Sequence, residues 1–194
     1  MAEPATPEAE EAPCGRDLTR LAVVAIISGA LAGVFGAVLR LCLLGAADVR
    51  GGVLTWAHQW PLFGWVIPVV VSGALVTLAA WLVQRFAPVA AGSGVQHVEA
   101  VMRGQAEPAP LAVVPLKFFG GILAIGSGLA LGREGPSVQV GATLGAWIAQ
   151  RLRLPDDSVR IMQSAVAGAS LGVAFNTPFG GMAFVFEELA RRFS

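Results

Sequence analysis

The chain has 194 residues, of which 55% are apolar and 13% charged, and its mean hydropathy is +0.69. A soluble domain carries roughly a quarter charged residues, so this composition excludes a water-exposed globule and places the chain in a bilayer. Lys plus Arg and Asp plus Glu balance at 13 each. The balance is uneven, because residues 1–17 hold Glu3, Glu8, Glu10, Glu11 and Asp17 against Arg16 alone. That is a net −4, leaving +4 for residues 18–194, and it excludes a strongly basic nucleic-acid binder.

Residues 1–17, rich in Ala, Pro and Glu, read as a disordered acidic tail, and residues 18–194 as the membrane domain. Leu21 to Leu39 is free of charge over 19 residues, long enough to span, and is preceded by acidic sequence that a secretory signal peptide would not carry. Residues 45–62 then read as an outer loop carrying Arg50. Phe63 to Gln84 forms a second uncharged window of 22 residues, with Pro68 near its start where a missing N–H costs least. Arg16 and Arg20 flank the first span, and Arg85, Arg103, Arg151, Arg153, Arg160, Arg191 and Arg192 follow the second. Positive-inside bias then places the N terminus in the cytoplasm.

Beyond Arg85 the apolar windows are interrupted. Ser93 to Arg103 is short and polar-flecked, Leu111 to Leu131 contains Lys117, and Gly135 to Gln150 has Arg133 and Glu134 at its head. Ile161 to Phe186 is cut by Asn176-Thr177-Pro178 into two half-helices. Irregular backbone at membrane depth survives only inside protein or along a wet cavity, and such broken segments point to a transport site.

Three constellations carry chemistry. Gly92-Ser93-Gly94 lets backbone approach a ligand and offers a hydroxyl beside the N–H groups of a following helix; an ordinary N-cap uses the same residues. Gly132-Arg133-Glu134-Gly135-Pro136 puts a carboxylate where an anion could sit at a helix N-terminus, with an Arg133 salt bridge or an interfacial position as the alternative. Glu187-Glu188 ends the last apolar segment, where negative charge is mildly unfavourable; solvated end-of-helix charge is the alternative. Lys117, the sole lysine, needs a partner, and a buried structural pair with Glu99 is expected. His58 and His97 lack metal-ligand company, and Cys14 and Cys42 offer no metal cluster or disulfide framework.

Read in order, Gly92-Ser93-Gly94-Val95-Gln96, Pro115-Leu116-Lys117-Phe118-Phe119-Gly120, Gly132-Arg133-Glu134-Gly135-Pro136-Ser137-Val138-Gln139 and Ala174-Phe175-Asn176-Thr177-Pro178 with Glu187-Glu188 resemble the CLC family of chloride channels and chloride/proton antiporters. The resemblance runs from about residue 20 to the end. It implies an all-α, multi-pass membrane fold of the inverted-repeat CLC type with short, broken helices, of which this sequence carries the first repeat. It further implies a homodimer with one anion path per subunit. Gln96 stands where the family usually has Pro, and the family's later Gly-x-Phe-x-Pro motif and Tyr have no counterpart here.

The resemblance implies that Ser93 coordinates chloride, within an anion site of Gly92, Ser93, Gly94, Arg133, Glu134 and Gly135. Glu134 is then the outer gate and Glu188 the inner proton residue, which leans toward exchange. The expected function is chloride/proton antiport in the cell's inner membrane, with chloride and protons as ligands, no cofactor, no metal, no nucleic-acid partner and no enzymatic site. Passive chloride conduction and a non-transporting scaffold or regulatory half-subunit are the alternatives. The second-half repeat is expected to be needed for a complete pathway.

Overall fold

The computed structural model describes residues 15–60 and 64–189, and it is all-helical over them. Seven α-helices follow one another: α1 Gly15–Ala57, α2 Val66–Phe86, α3 Val95–Met102, α4 Val113–Gly126, α5 Glu134–Arg151, α6 Asp156–Phe175 and α7 Pro178–Phe184. A 3-10 turn at Pro88–Ala90 leads into α3, and a π turn at Val185–Leu189 continues α7. The acidic tail lies outside the described residues as far as Cys14, and Arg191 and Arg192 lie outside them as well; the backbone of 15–17 already begins α1.

The first span is longer than the uncharged window. Helix α1 runs for 43 residues, so the outer loop expected over 45–62 is instead helix as far as Ala57. No proline interrupts residues 40–57, and Ala and Leu favour helix there. Gly51 and Gly52 are helical, and Thr55 Oγ1 donates back to the Gly52 carbonyl at 2.9 Å. At 1.5 Å per residue α1 is about 65 Å long, more than a bilayer's thickness, so it crosses at a tilt.

Helices α1 and α2 present apolar side chains outward. Ile26 and Leu41 are 71% and 68% exposed, and Val69 and Val70 stand out from α2 in the same way. An apolar surface of that extent on long helices fits a lipid environment. Helix α6 is also long and apolar enough to cross, whereas α4, with 14 residues, is shorter.

Helix α5 forms the interior, with twelve of its 18 residues buried. It packs closely on α6 through small residues, since without water between helices it is close backbone approach that holds them together. A Cβ at Gly145 would lie 2.7 Å from the Met162 carbonyl, and one at Gly141 would overlap Ser170. The break at Asn176 is as expected: it sits in the left-handed region at φ +56, Thr177 N–H donates to the Gly172 carbonyl at 2.9 Å, and Pro178 opens α7.

Helix α1 serves as a ruler of depth. Val24 packs with Ala146 and Ala149 of α5 and Met162 of α6, so the α5–α6 junction lies near the start of α1. Gly36 faces Val173, near the end of α6, and Leu39 approaches Gly121 of α4. Ala46 and Arg50 meet Gly126 and Gly128, at the far end of α4. The break after α6 and the middle of α4 thus fall beside the middle of α1.

Candidate functional site

Two helix N-termini are brought together by backbone geometry. Gly94, at φ +85, ends the Gly92-Ser93-Gly94 turn and precedes α3, while Arg133 precedes α5. Neither helix start has a side-chain cap, so its first-turn N–H groups are left for another acceptor. Gly135 lies directly against Ser93: a Cβ there would sit 2.8 Å from the Ser93 carbonyl oxygen and 2.9 Å from its Cα. Only glycine lets the two motifs close to this distance.

Ser93 and Glu134 line one cavity of about 560 Å³, together with Gly92, Gly132, Gly135 and Pro136. Its opposite wall comes from α2 and α4, including Ala80, Gln84 and Lys117. The Glu134 carboxylate folds back over Gly132, where a Cβ would overlap it. A hydroxyl, a cationic side chain and uncapped amides around a largely apolar wall suit a small anion, and a carboxylate at the same place can compete for it.

Of the six residues expected to hold the anion, Gly92, Ser93, Glu134 and Gly135 line the cavity. Gly94 is instead buried behind it against Gln139. Arg133 does not line it either; its carbonyl accepts the Ser137 hydroxyl at 2.9 Å. Glu188 lies apart, exposed on the π turn after α7.

The expected Glu99–Lys117 pair is corrected. Lys117 Nζ donates to the Gly92 carbonyl at 2.7 Å, while Glu99 pairs with Arg103, one turn further along α3. The reason is geometric: four residues apart on one helix is ordinary pairing distance, whereas the turn before α3 offers Lys117 a carbonyl directly. Lys117 is thus a cavity residue that sequence reasoning placed elsewhere; its being the sole lysine in a motif segment was the available signal. Gln139 closes the Gly132 to Gln139 motif, and the sequence alone points to no role for it. Fully buried on α5, it donates from Nε2 to the Val89 carbonyl at 2.8 Å and fills the space beside Gly94.

Residues 75–194 match the family described as voltage gated chloride channel. The chain belongs to this family. It is 38% identical over 174 residues to the H(+)/Cl(-) exchange transporter ClcA of Vibrio vulnificus, covering 88% of this chain and 37% of that protein. Over 181 residues it is 32% identical to ClcA of Citrobacter koseri, covering 92% of this chain and 38% of that protein. Among solved structures, a slow cyanobacterial Cl-/H+ antiporter superposes with a TM-score of 0.81 at 34% identity, over 88% of this chain and 40% of that one. A eukaryotic CLC transporter superposes with a TM-score of 0.74 at 25% identity, over 90% and 34% respectively. The chain therefore spans about two fifths of the length of these relatives, and it shares the CLC fold over that part. The relatives are transporters by name, and the chain is, like them, a helical membrane protein.

Proposed function

We propose that this CLC chain forms the first repeat of a chloride/proton antiporter and acts as part of a homodimer with one anion path per subunit. The observation that carries the reading is the shared cavity of Ser93 and Glu134, with Gly135 against the Ser93 backbone. Ser93 and the amides at the start of α3 and α5 coordinate chloride. Lys117 adds positive charge to the wall and holds the Gly92 carbonyl, keeping that carbonyl's negative end engaged.

Glu134 is the gate. Ionised, its carboxylate takes the anion's place at the start of α5; protonated, it gives up the place and carries a proton with it. Glu188 passes protons on the other side, and an acidic residue there favours exchange over passive conduction. Gly94 shapes the turn rather than touching the anion, and Arg133 contributes through its carbonyl. No cofactor enters this scheme.

The membrane is the cell's inner membrane, with the N terminus in the cytoplasm. Support comes from the clustering of basic residues: Arg160 lies beside Gly104, next to Arg103, and Arg151 and Arg153 flank Leu152 at the α5–α6 junction, all at the end where α1 begins.

The test is flux through the full-length protein in liposomes. Glu134→Gln, which cannot ionise, abolishes uphill proton movement driven by a chloride gradient. Coupled proton flux persisting in that variant refutes the scheme. A wild-type protein that carries chloride without ever moving protons uphill is a passive channel, and one that carries neither is a scaffold.

A further inference from the structure

A second cavity, of about 250 Å³, lies between α1, α2 and α4 at the far end of α1, remote from Ser93 and Glu134. Its walls are Ala46, Val49, Val53, Val71, Leu75 and Ile122, with Arg50 at one side. The two hydroxyls that reach it are already engaged. Ser72 Oγ donates to the Ser127 carbonyl at 2.9 Å, and Ser127 Oγ donates to the Ala124 carbonyl at 2.8 Å. What remains for a ligand is apolar surface and one guanidinium.

Arg50 is exposed and, among the described residues, has no hydrogen-bond or ion-pair partner. Its guanidinium lies over Gly128, where a Cβ would come within 2.7 Å of it, and φ at Gly128 is +107, a conformation that favours glycine. Asp48 is two residues away, about 200° around the helix, and does not face it. The depth is that of a headgroup. Twenty-six residues of helix, about 39 Å along the axis, separate Val24, beside the α5–α6 junction, from Arg50, and even at a tilt of about 40° that length crosses a hydrocarbon core of about 30 Å. Trp56, Trp60 and Trp65, each more than half exposed, follow Arg50 closely in sequence and form the aromatic belt expected at that level. Val49 and Val71, both exposed, border the cavity, so its rim is apolar.

We propose that this cavity is a binding site for an anionic phospholipid, whose phosphate pairs with Arg50 and one of whose acyl chains lies along the apolar wall. Guanidinium and phosphate match in a two-bonded fork, and an apolar groove beside a lone cation complements a lipid rather than a free ion. An anionic headgroup is favoured over a zwitterionic one because it brings no cation of its own to compete with Arg50.

The test counts lipids retained by the full-length protein in native mass spectrometry after equilibration with mixed phosphatidylglycerol and phosphatidylcholine. The wild-type protein keeps phosphatidylglycerol in preference to phosphatidylcholine. Arg50→Ala lowers that retention about tenfold, the scale of one charge-assisted hydrogen bond. Leu75→Trp, which fills the groove and leaves Arg50 in place, lowers it too. Equal retention of the two lipids by the wild-type protein overturns the proposal, since the face is then covered by other parts of the protein or binds no lipid selectively. Unchanged retention in Leu75→Trp overturns it independently, even if Arg50→Ala fails to fold.

Discussion

Gln139 Nε2 donates a 2.8 Å hydrogen bond to the carbonyl of Val89, joining α5 to the turn that precedes Ser93. Gln139 follows Glu134 by five residues and Val89 precedes Ser93 by four, so this one bond fixes the register between the two halves of the site. The side chain is fully buried. Gln139→Leu keeps much of the volume but leaves the Val89 carbonyl without its partner. The expected cost is about 1–3 kcal/mol of stability, read as a lower midpoint in thermal unfolding. Chloride binding by calorimetry on the full-length protein weakens in the same variant, because Ser93 loses its anchor. A variant with a normal midpoint and normal binding would remove Gln139 from the site's support.

Gly135→Ala separates a contact requirement from simple helix propensity. In a helix, alanine is ordinarily favoured over glycine by about 0.5–1 kcal/mol. At 135 the new methyl meets the Ser93 carbonyl oxygen at 2.8 Å and Cα at 2.9 Å, both backbone atoms that cannot rotate away. The helix start and the serine turn must move apart. Gly29→Ala on α1, with nothing within 4 Å, is the matched control. Gly29→Ala is expected to leave the unfolding midpoint level or raised, and Gly135→Ala to lower it and weaken chloride binding.

Much of the site is legible because several short motifs, each with an ordinary structural use of its own, occur together in a fixed order. The break at Asn176 could be read because Pro178 cannot continue a helix. What failed was long-range pairing. Lys117 was assigned to Glu99 by charge alone, yet Arg103 at helical spacing holds Glu99, and a carbonyl across the cavity takes the lysine. Sequence shows which residues need partners but not which backbone atoms the tertiary fold will offer. The far end of α1 differs for another reason: the uncharged window stops at Leu39, whereas helix propensity and the absence of proline carry the helix on to Ala57.

Lys117 and Glu99 therefore have unequal weight. Lys117→Met removes a buried donor from the Gly92 carbonyl and frees the turn before Ser93, with an expected loss of about 1–3 kcal/mol. Glu99→Gln weakens the pair with Arg103, whose side chain is 46% exposed, and costs under about 1 kcal/mol. Thermal unfolding of both variants in the same detergent gives the ranking. Equal losses would revive a direct coupling between the two side chains.

Gly181 tests how Glu188, the proposed inner proton residue, is held. Helix α7 folds back on α6 so closely that a Cβ at Gly181 would overlap the Gly168 carbonyl and lie 3.0 Å from the Gly172 amide. Both neighbours are helix backbone, so Gly181→Ala forces α7 away from α6, and overpacking of this kind costs about 1–3 kcal/mol. Glu188 rides on the π turn directly after α7, so the same displacement moves its carboxylate. Expected in liposomes is a lower ratio of protons moved to chloride moved, while Glu134, on α5, and Ser93, in the turn before α3, keep their places. A Gly181→Ala protein with reduced stability but an unchanged ratio would show that the position of Glu188 tolerates movement of α7.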